Sequence, residues 1–430
     1  MSKKCRIAVY CVVSIIAVLI IAILIKIIFF SGIFYPHISI IGSKNTIVEC
    51  GEIYNDPGAY GIYKFNNISK DIKVKSNIDT NKLGEYEIKY FYKNKLYVTR
   101  AVKVVDTIEP KITLNGNGYH RIFVNDKYEE QGINVIDNCD KNLEDKVKIK
   151  NKVNESKVGV YDVEYSVKDS SGNIAKEVRK VEVLEDPSLI KLKYTYDTYD
   201  NASEEWWFEK SFSNKRNKAA RSSSFLKKYN AYYIEKDDKT IYLTLDEGGN
   251  NITYIKEIID ILNKNDVKAT FFLTRNYILN NEKMMNDLVD NGHVIANHTH
   301  RHLDMPDYAN AASLDKFVLE VTETEKAYTK VTGLKMEKIF RFPKGGYSER
   351  TLKILDDLGY TTYFWSHAYY DYGEDISKEK AYEALTKYIH NGAIYLIHPS
   401  NKGNYLAMED FIKEAKSKGY SFDVLEEKDN

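Results

Sequence analysis

The chain has 430 residues, and its 62 Lys plus Arg balance 62 Asp plus Glu, so no basic surplus exists for phosphate backbones and nucleic acid is set aside as a partner. Hydrophobic residues make up 43%, enough for several domains with real cores. The cysteines Cys5, Cys11, Cys50 and Cys139 form no C-x-x-C and no spaced framework, which argues against a disulfide-dependent fold and against a thiolate zinc site.

In chain order, residues 1–6 form a basic tail carrying Lys3, Lys4 and Arg6. From Ile7 to Ile25 runs IAVYCVVSIIAVLIIAILI without a charge, and after Lys26 the apolar run resumes with IIFF. At about 1.5 Å per residue this nearly spans a hydrocarbon core of roughly 30 Å, so residues 7–30 are read as a transmembrane helix. The positive-inside rule leaves the tail in the cytoplasm. The chain is then a single-pass protein of the cell membrane with everything after the helix extracytoplasmic. A cleaved signal peptide is the competing reading; the run is long for one, and no small-residue cleavage site follows.

Two copies of one module come next, over 37–106 and 107–185. Pro36, Gly42, Tyr54 and Gly58 have counterparts in Pro110, Gly116, Tyr128 and Gly132, and LGEYEIKYFYKN matches VGVYDVEYSVKD. Both stretches alternate apolar with polar residues, as strands do, and DSSGN (169–173) marks a hairpin. Short alternating strands in such repeats predict small all-β sandwiches acting as spacers. Residues 186–238, with WWFEKSF and a basic, serine-rich run, are read as a linker or extension packing on the last domain.

From 239 to 430 strands and amphipathic helices alternate: TIYLTLD, YIKEIIDILNKN, KATFFLT, EKMMNDLVDNG, HVIANH, then KIFRFP, TTYFWS and AIYLIH with helices between. This is the mark of an α/β fold, and about seven units predict a distorted (β/α) barrel with its site at the C-terminal strand ends. Polar residues stand at those ends: Asp246 and Glu247, His298, Arg341 and His398. His298 and His302 lie four apart in HTHRH and can share one side of a turn. With Glu247 they make an open two-imidazole, one-carboxylate site for a divalent metal, zinc being expected, and Asp246 stays free as the base. An isolated H-x-x-x-H is weak evidence, and a polar surface loop is the plain alternative. His398 can protonate an amide leaving group, with Asp371 setting its tautomer, or it is an ordinary hydrogen bonder. Arg341 can hold Asp246 in place, or serve a surface ion pair.

TLDEG, HTHRH, RFPKG, FWSHAYYDY and YLIH, in that order, resemble the motifs of the polysaccharide deacetylases (carbohydrate esterase family 4, the NodB-homology domain), and the 37–185 repeats resemble bacterial Ig-like modules. The resemblance implies Asp246 as general base, Glu247, His298 and His302 as metal ligands, Arg341 steadying the base, His398 as general acid and Asp371 as its partner. WWFEKSF and FPKGGYSERTLKILDDLGYTTYFWSHAYYDY look most like the members that act on muramic acid of spore-former peptidoglycan. Pro343, Lys344, Gly345 and Tyr372 are then expected to line the substrate, with Lys344 meeting a lactyl carboxylate. Two departures stand out: Glu247 replaces the usual aspartate, and Tyr372 replaces a tryptophan. The expectation is a metal-dependent peptidoglycan N-deacetylase, N-acetylmuramic acid favoured, bound to the glycan strand and to the membrane through its first helix. Alternatives are an N-acetylglucosamine deacetylase giving lysozyme resistance, a weakened glycan-binding homologue, an iron oxygenase and a surface adhesin.

Overall fold

A parallel sheet whose strands end in polar residues organises the last half of the chain, in a computed structural model describing every residue except 1–2, 31–33, 193–194, 213–214, 249–253 and 429–430. The start of the basic tail and the end of TLDEGG thus lie outside the described residues. The chain divides into two units: 1–116 with 131–151 and 164–178, and 117–130 with 152–163 and 179–430.

In the first unit a helix runs from Lys3–Phe30. Its stretch Tyr10–Ile28 has 19 residues, a mean hydropathy of 3.2 and no buried face. A helix apolar on all sides and this long is suited to crossing a bilayer. Beyond it, alternation builds sheets: His37–Ile40 pairs antiparallel with Ala59–Tyr63, while Asn45–Glu49 runs parallel to Lys95–Val105, which pairs antiparallel with Gly84–Tyr92. Val48, Ile88, Tyr90 and Val102 fill the core between them. Arg100 is buried there too. Its Nε donates to the Tyr90 hydroxyl at 3.2 Å and lies 3.0 Å from Asp56 Oδ1. In the second copy Lys111–Leu114 pairs antiparallel with Ile133–Ile136.

One expectation from the cysteines is corrected. Cys50 and Cys139, 89 residues apart, form a disulfide with Cα atoms at 5.4 Å. Each cysteine sits in its own module, so spacing alone gave no hint. The end of one module lies against the VIDNC turn of the next, where Asn138 Nδ2 donates to Cys50 O at 2.9 Å.

The second unit begins with a parallel pair, Tyr119–Phe123 beside Lys180–Leu184. From this pair's neighbourhood Asn117 Nδ2 donates to Thr332 O at 3.0 Å, and Arg121 N donates to Gly333 O at 2.9 Å. The main sheet has eight strands. Its path is Ala231–Tyr232, Thr361–Tyr363, Ile339–Phe340, Val294–Asn297, Thr270–Leu273, Thr240–Glu247 and Ala393–Ile397, with Ser421–Asp423 beside the start of Thr240–Glu247. Every pairing is parallel. The sheet curls back on itself: beyond Thr361–Tyr363, Ser366 N and His367 N donate to Ile394 O, and Leu396 N donates to His367 O. The curled β/α sheet agrees with the barrel expected from the alternating pattern.

Helices such as Ile255–Lys264, Leu314–Thr332 and Lys402–Ser417 cover the outside. Ile258, Leu262, Phe411 and Ile412 pack there against Leu243, Leu245 and Tyr395 of the strands. Within residues 186–238, Glu204–Glu205 pairs antiparallel with Gly346–Tyr347, and Trp206 stacks on Phe364 at 4.2 Å between ring centres.

Candidate active site

Strand register lays the polar residues in one row. Glu247 pairs with Leu273, Leu273 with Asn297, and Asn297 with Phe340. The next amides tie the row together: Thr274 N donates to Glu247 O, His298 N to Leu273 O, and Arg341 N to Asn297 O, at 3.3, 3.1 and 3.0 Å. On the other side Leu245 pairs with Ile397, so Asp246 and His398 leave neighbouring strands at the same level.

Arg341 is fully buried and spends its donors on fixed acceptors. Nη1 donates to Asp246 Oδ1 at 2.7 Å and to Thr244 Oγ1 at 2.6 Å; Nε donates to Tyr363 O at 3.0 Å. Its guanidinium lies 3.9 Å from the centre of the Phe272 ring. A buried charge with this many partners is a rigid fixture, and it fixes the Asp246 carboxylate with it. Thr244 escaped the sequence reading, although two residues along a strand return to the same face.

His298 is buried, with Nδ1 on Arg341 O at 3.0 Å and Nε2 3.8 Å from Asp246 Oδ2. Burial, the largest influence, pushes its pKa down to about 4, against the pull of Asp246, so the ring is neutral near pH 7. The His302 ring lies edge-on at 4.9 Å between centres, and burial lowers its pKa too. Thr299 and His302 hold left-handed φ values of 70° and 60°, a strained backbone that Thr299 Oγ1 braces by accepting from His302 N at 3.0 Å. Two neutral imidazoles at this spacing, one with Nδ1 already pinned, suit a shared cation.

Glu247 does not join them as closely. Adjacent strand residues leave opposite faces. Asp246 meets Arg341, while Glu247 Oε1 accepts from Gly248 N at 3.0 Å and its charge reaches Tyr277, whose pKa is raised mainly by burial. Among the described residues, the group of three His, Cys, Asp or Glu with ligand atoms all within 4.8 Å is Asp106, Asp137 and Asp169; Glu247, His298 and His302 are not such a group.

Across the rim, His398 Nδ1 meets Asp371 Oδ1 at 2.7 Å, and Asp371 Oδ2 accepts from His398 N at 2.7 Å. Asn404 Nδ2 donates to the same Oδ2 at 2.7 Å, and Asn401 Nδ2 donates to Asp371 O at 3.1 Å. Burial pulls the His398 pKa down, but the Asp371 hydrogen bond and charge, helped by Asp246 and Glu247, outweigh it, and the net direction is up. Asn401 and Asn404 were missed. They lie at the start of the helix Lys402–Ser417 and are buried, and no motif separates them from asparagines at the surface.

The substrate-lining candidates fall in two places. Pro343, Lys344 and Gly345 form a tight turn with Lys344 exposed at φ 57°. The Lys344 charge is felt at His302. A side chain at Gly345 would meet Trp365 at 2.8 Å and Trp206 at 3.0 Å. Trp206 N donates to Gly345 O, and Trp206 Nε1 to Trp365 O, both at 2.9 Å. Trp206, left inside a linker by sequence reading, is a wall of this turn. Tyr372 lies at the other place, 5.7 Å from the His398 ring and tilted at 47° against exposed Tyr370.

Residues 233–363 match the polysaccharide deacetylase family, and residues 38–104 and 112–183 match the bacterial surface protein Ig-like domain. The peptidoglycan-N-acetylmuramic acid deacetylase PdaA of Bacillus subtilis is 34% identical over 226 residues, spanning 52% of this chain and 84% of the relative. A peptidoglycan-N-acetylglucosamine deacetylase of Bacillus cereus is 27% identical over 203 residues, 46% of this chain and 92% of its own length. The solved structure of Bacillus subtilis PdaA, a family 4 carbohydrate esterase, aligns with a TM-score of 0.50 at 33% identity, covering 52% of this chain and 96% of that one.

Proposed function

The chain belongs to the polysaccharide deacetylase family of amide hydrolases, and from that premise we propose that it removes acetyl groups from N-acetylated amino sugars of peptidoglycan, with N-acetylmuramic acid favoured. The observation that carries this reading is the two ion pairs Arg341–Asp246 and Asp371–His398, whose Asp246 and His398 leave neighbouring strands. This supports a proton acceptor at Asp246 and a proton donor at His398, the two roles that amide hydrolysis requires.

Asp246, immobilised by Arg341, takes a proton from the attacking water. Water oxygen bonds to the acetyl carbon. His398, its Nδ1 occupied by Asp371, gives a proton to the sugar nitrogen as the C–N bond breaks, leaving acetate and a free amine. His298 and His302 would hold a divalent cation, zinc by donor chemistry, which would supply charge to polarise the acetamide carbonyl; Glu247, bonded to the Gly248 amide, would complete the ligand set by turning toward them. Lys344, exposed on its turn with its charge felt at His302, would meet the anionic lactyl group of a muramic residue, and Tyr372 would offer an aromatic face to the ring. The apolar helix would anchor the protein in the cell membrane, with the Ig-like modules as spacers toward the wall.

Acetate release from purified peptidoglycan, with mass spectrometry of the muropeptides, tests the reading. Deacetylated muramic residues support it. Deacetylated glucosamine alone shifts the substrate, and no acetate release removes the enzyme. One observation favours a second reading, a glycan-binding homologue of low turnover: the Glu247 carboxylate rests on the Gly248 amide.

A further inference from the structure

Outside the barrel, three strands of the Ig-like region each end in an aspartate. Asp106 follows Lys95–Val105, Asp137 follows Ile133–Ile136, and Asp169 follows Gly159–Lys168. The first belongs to the end of one module and the others to loops of the next, all inside the first unit. One oxygen from each lies within 4.8 Å of the others.

Their loops aim them. Asp137 Oδ1 accepts from Cys139 N and Asp140 N at 2.9 and 2.6 Å, and Asp169 Oδ1 accepts from Gly172 N and Asn173 N at 2.6 and 2.8 Å. Asn173 Nδ2 donates to Asp169 Oδ2 at 2.8 Å. The remaining oxygens are the unusual ones. Asp106 is 7% exposed, yet its Oδ2 is buried without a hydrogen-bond partner. Asp137 Oδ2 and the neighbouring Asn138 Oδ1 are buried without a partner as well. All three are acceptors, and among the described residues no Lys or Arg forms an ion pair with any of the three aspartates. Two belong to carboxylates and one to an amide, and a cation satisfies buried oxygens of this kind.

We propose that Asp106, Asp137 and Asp169, with Asn138 Oδ1, form a calcium site that clamps the junction of the two Ig-like modules. The donors are all oxygen, so a hard ion fits and zinc or copper does not. Cys139 is engaged in the disulfide and offers no thiolate. Carboxylates from separate loops, an amide oxygen and water give the irregular, high-coordination shell that calcium accepts and magnesium resists. Bound calcium joins the end of one module to two loops of the next, beside the Cys50–Cys139 bridge. The site is independent of the deacetylase reading.

The test uses the full chain in detergent, stripped of divalent ions and titrated with calcium chloride by calorimetry, with thermal unfolding alongside. One calcium per chain is expected, with a dissociation constant on the order of 10⁻⁵ to 10⁻³ M, and a higher unfolding midpoint. Asp137→Asn should weaken binding about tenfold or more through lost ligand charge. Asp106→Asn should raise the calcium-free midpoint by removing repulsion while abolishing the calcium-induced shift, an outcome distinct from simple misfolding. A His298→Ala/His302→Ala variant should keep the calcium response, which separates this site from the barrel. No calcium uptake by the wild-type chain overturns the proposal, and so does uptake lost in the histidine variant but kept in both aspartate variants.

Discussion

On the barrel rim, Asp246 faces the Arg341 guanidinium and Asp371 faces His398, each at 2.7 Å; at the Ig-like junction, Asp106, Asp137 and Asp169 face one another. Both regions bury carboxylates at strand ends. The rim carries its counter-charges on the chain itself, so its acids are oriented before any ligand arrives. The junction does not, and its loops hold oxygens ready for a charge from outside. Burying an acid costs several kcal/mol in either place, and the source of the partner decides whether the acid serves chemistry or assembly.

Opposite signs on the two sides would sharpen that contrast most. Asp246→Asn should cut acetate release by about 10²–10⁴-fold. It also leaves Arg341 buried without its ion partner, a loss of roughly 3–5 kcal/mol that a melting curve would register as a fall. Asp106→Asn, the same chemical change, should raise the midpoint in chelator. If both variants move stability the same way, the two regions do not differ as described.

The disulfide gives the next largest effect. Cys139→Ser should cost the first unit about 2–5 kcal/mol in denaturant unfolding, since the bond closes a long loop. The turnover number on soluble glycan should stay at the wild-type value. A parallel fall in turnover would show that the barrel leans on the module junction.

Asp371→Asn should lower turnover by about 10–100-fold and shift its pH profile. The folded His398 pKa stands above its ordinary value of 6.5, so its protonated form is favoured. The associated stability is complete below that ordinary value and is lost as pH rises through the folded one. Without Asp371 the alkaline limb of activity should move to lower pH. A limb that stays in place assigns it to another group. The smallest change is Lys344→Tyr, expected to alter the preference between muramic and glucosamine residues several-fold, about 1–2 kcal/mol at a solvent-exposed charge. Unchanged discrimination removes Lys344 from specificity.

The rim was legible because parallel strands advertise themselves as apolar runs and their last residues are forced to one edge. Asp246, His298, Arg341 and His398 all stand one step from such a run. Thr244 was equally legible by alternation and was passed over. Asn404 was not legible, because its partner Asp371 lies on a distant loop. Trp206 looked like part of a linker because its pairing strand is only Glu204–Glu205, too short to show a period. The first unit hid more. DSSGN announced a turn correctly, but nothing in it says that Asp169 meets Asp106 and Asp137, or that Cys50 finds Cys139. Those meetings depend on how one module follows another, which no local pattern encodes.

Pairing with Thr270–Leu273 on one side and Ala393–Ile397 on the other leaves the Thr240–Glu247 strand flanked on both edges. A chain clipped before Ala393 would strip that flank and bare the amides and carbonyls from Ile241 to Leu245. Such a row is a template on which another copy can add its own strand. Truncated or incompletely synthesised molecules should therefore clump together rather than persist as soluble, partly active fragments.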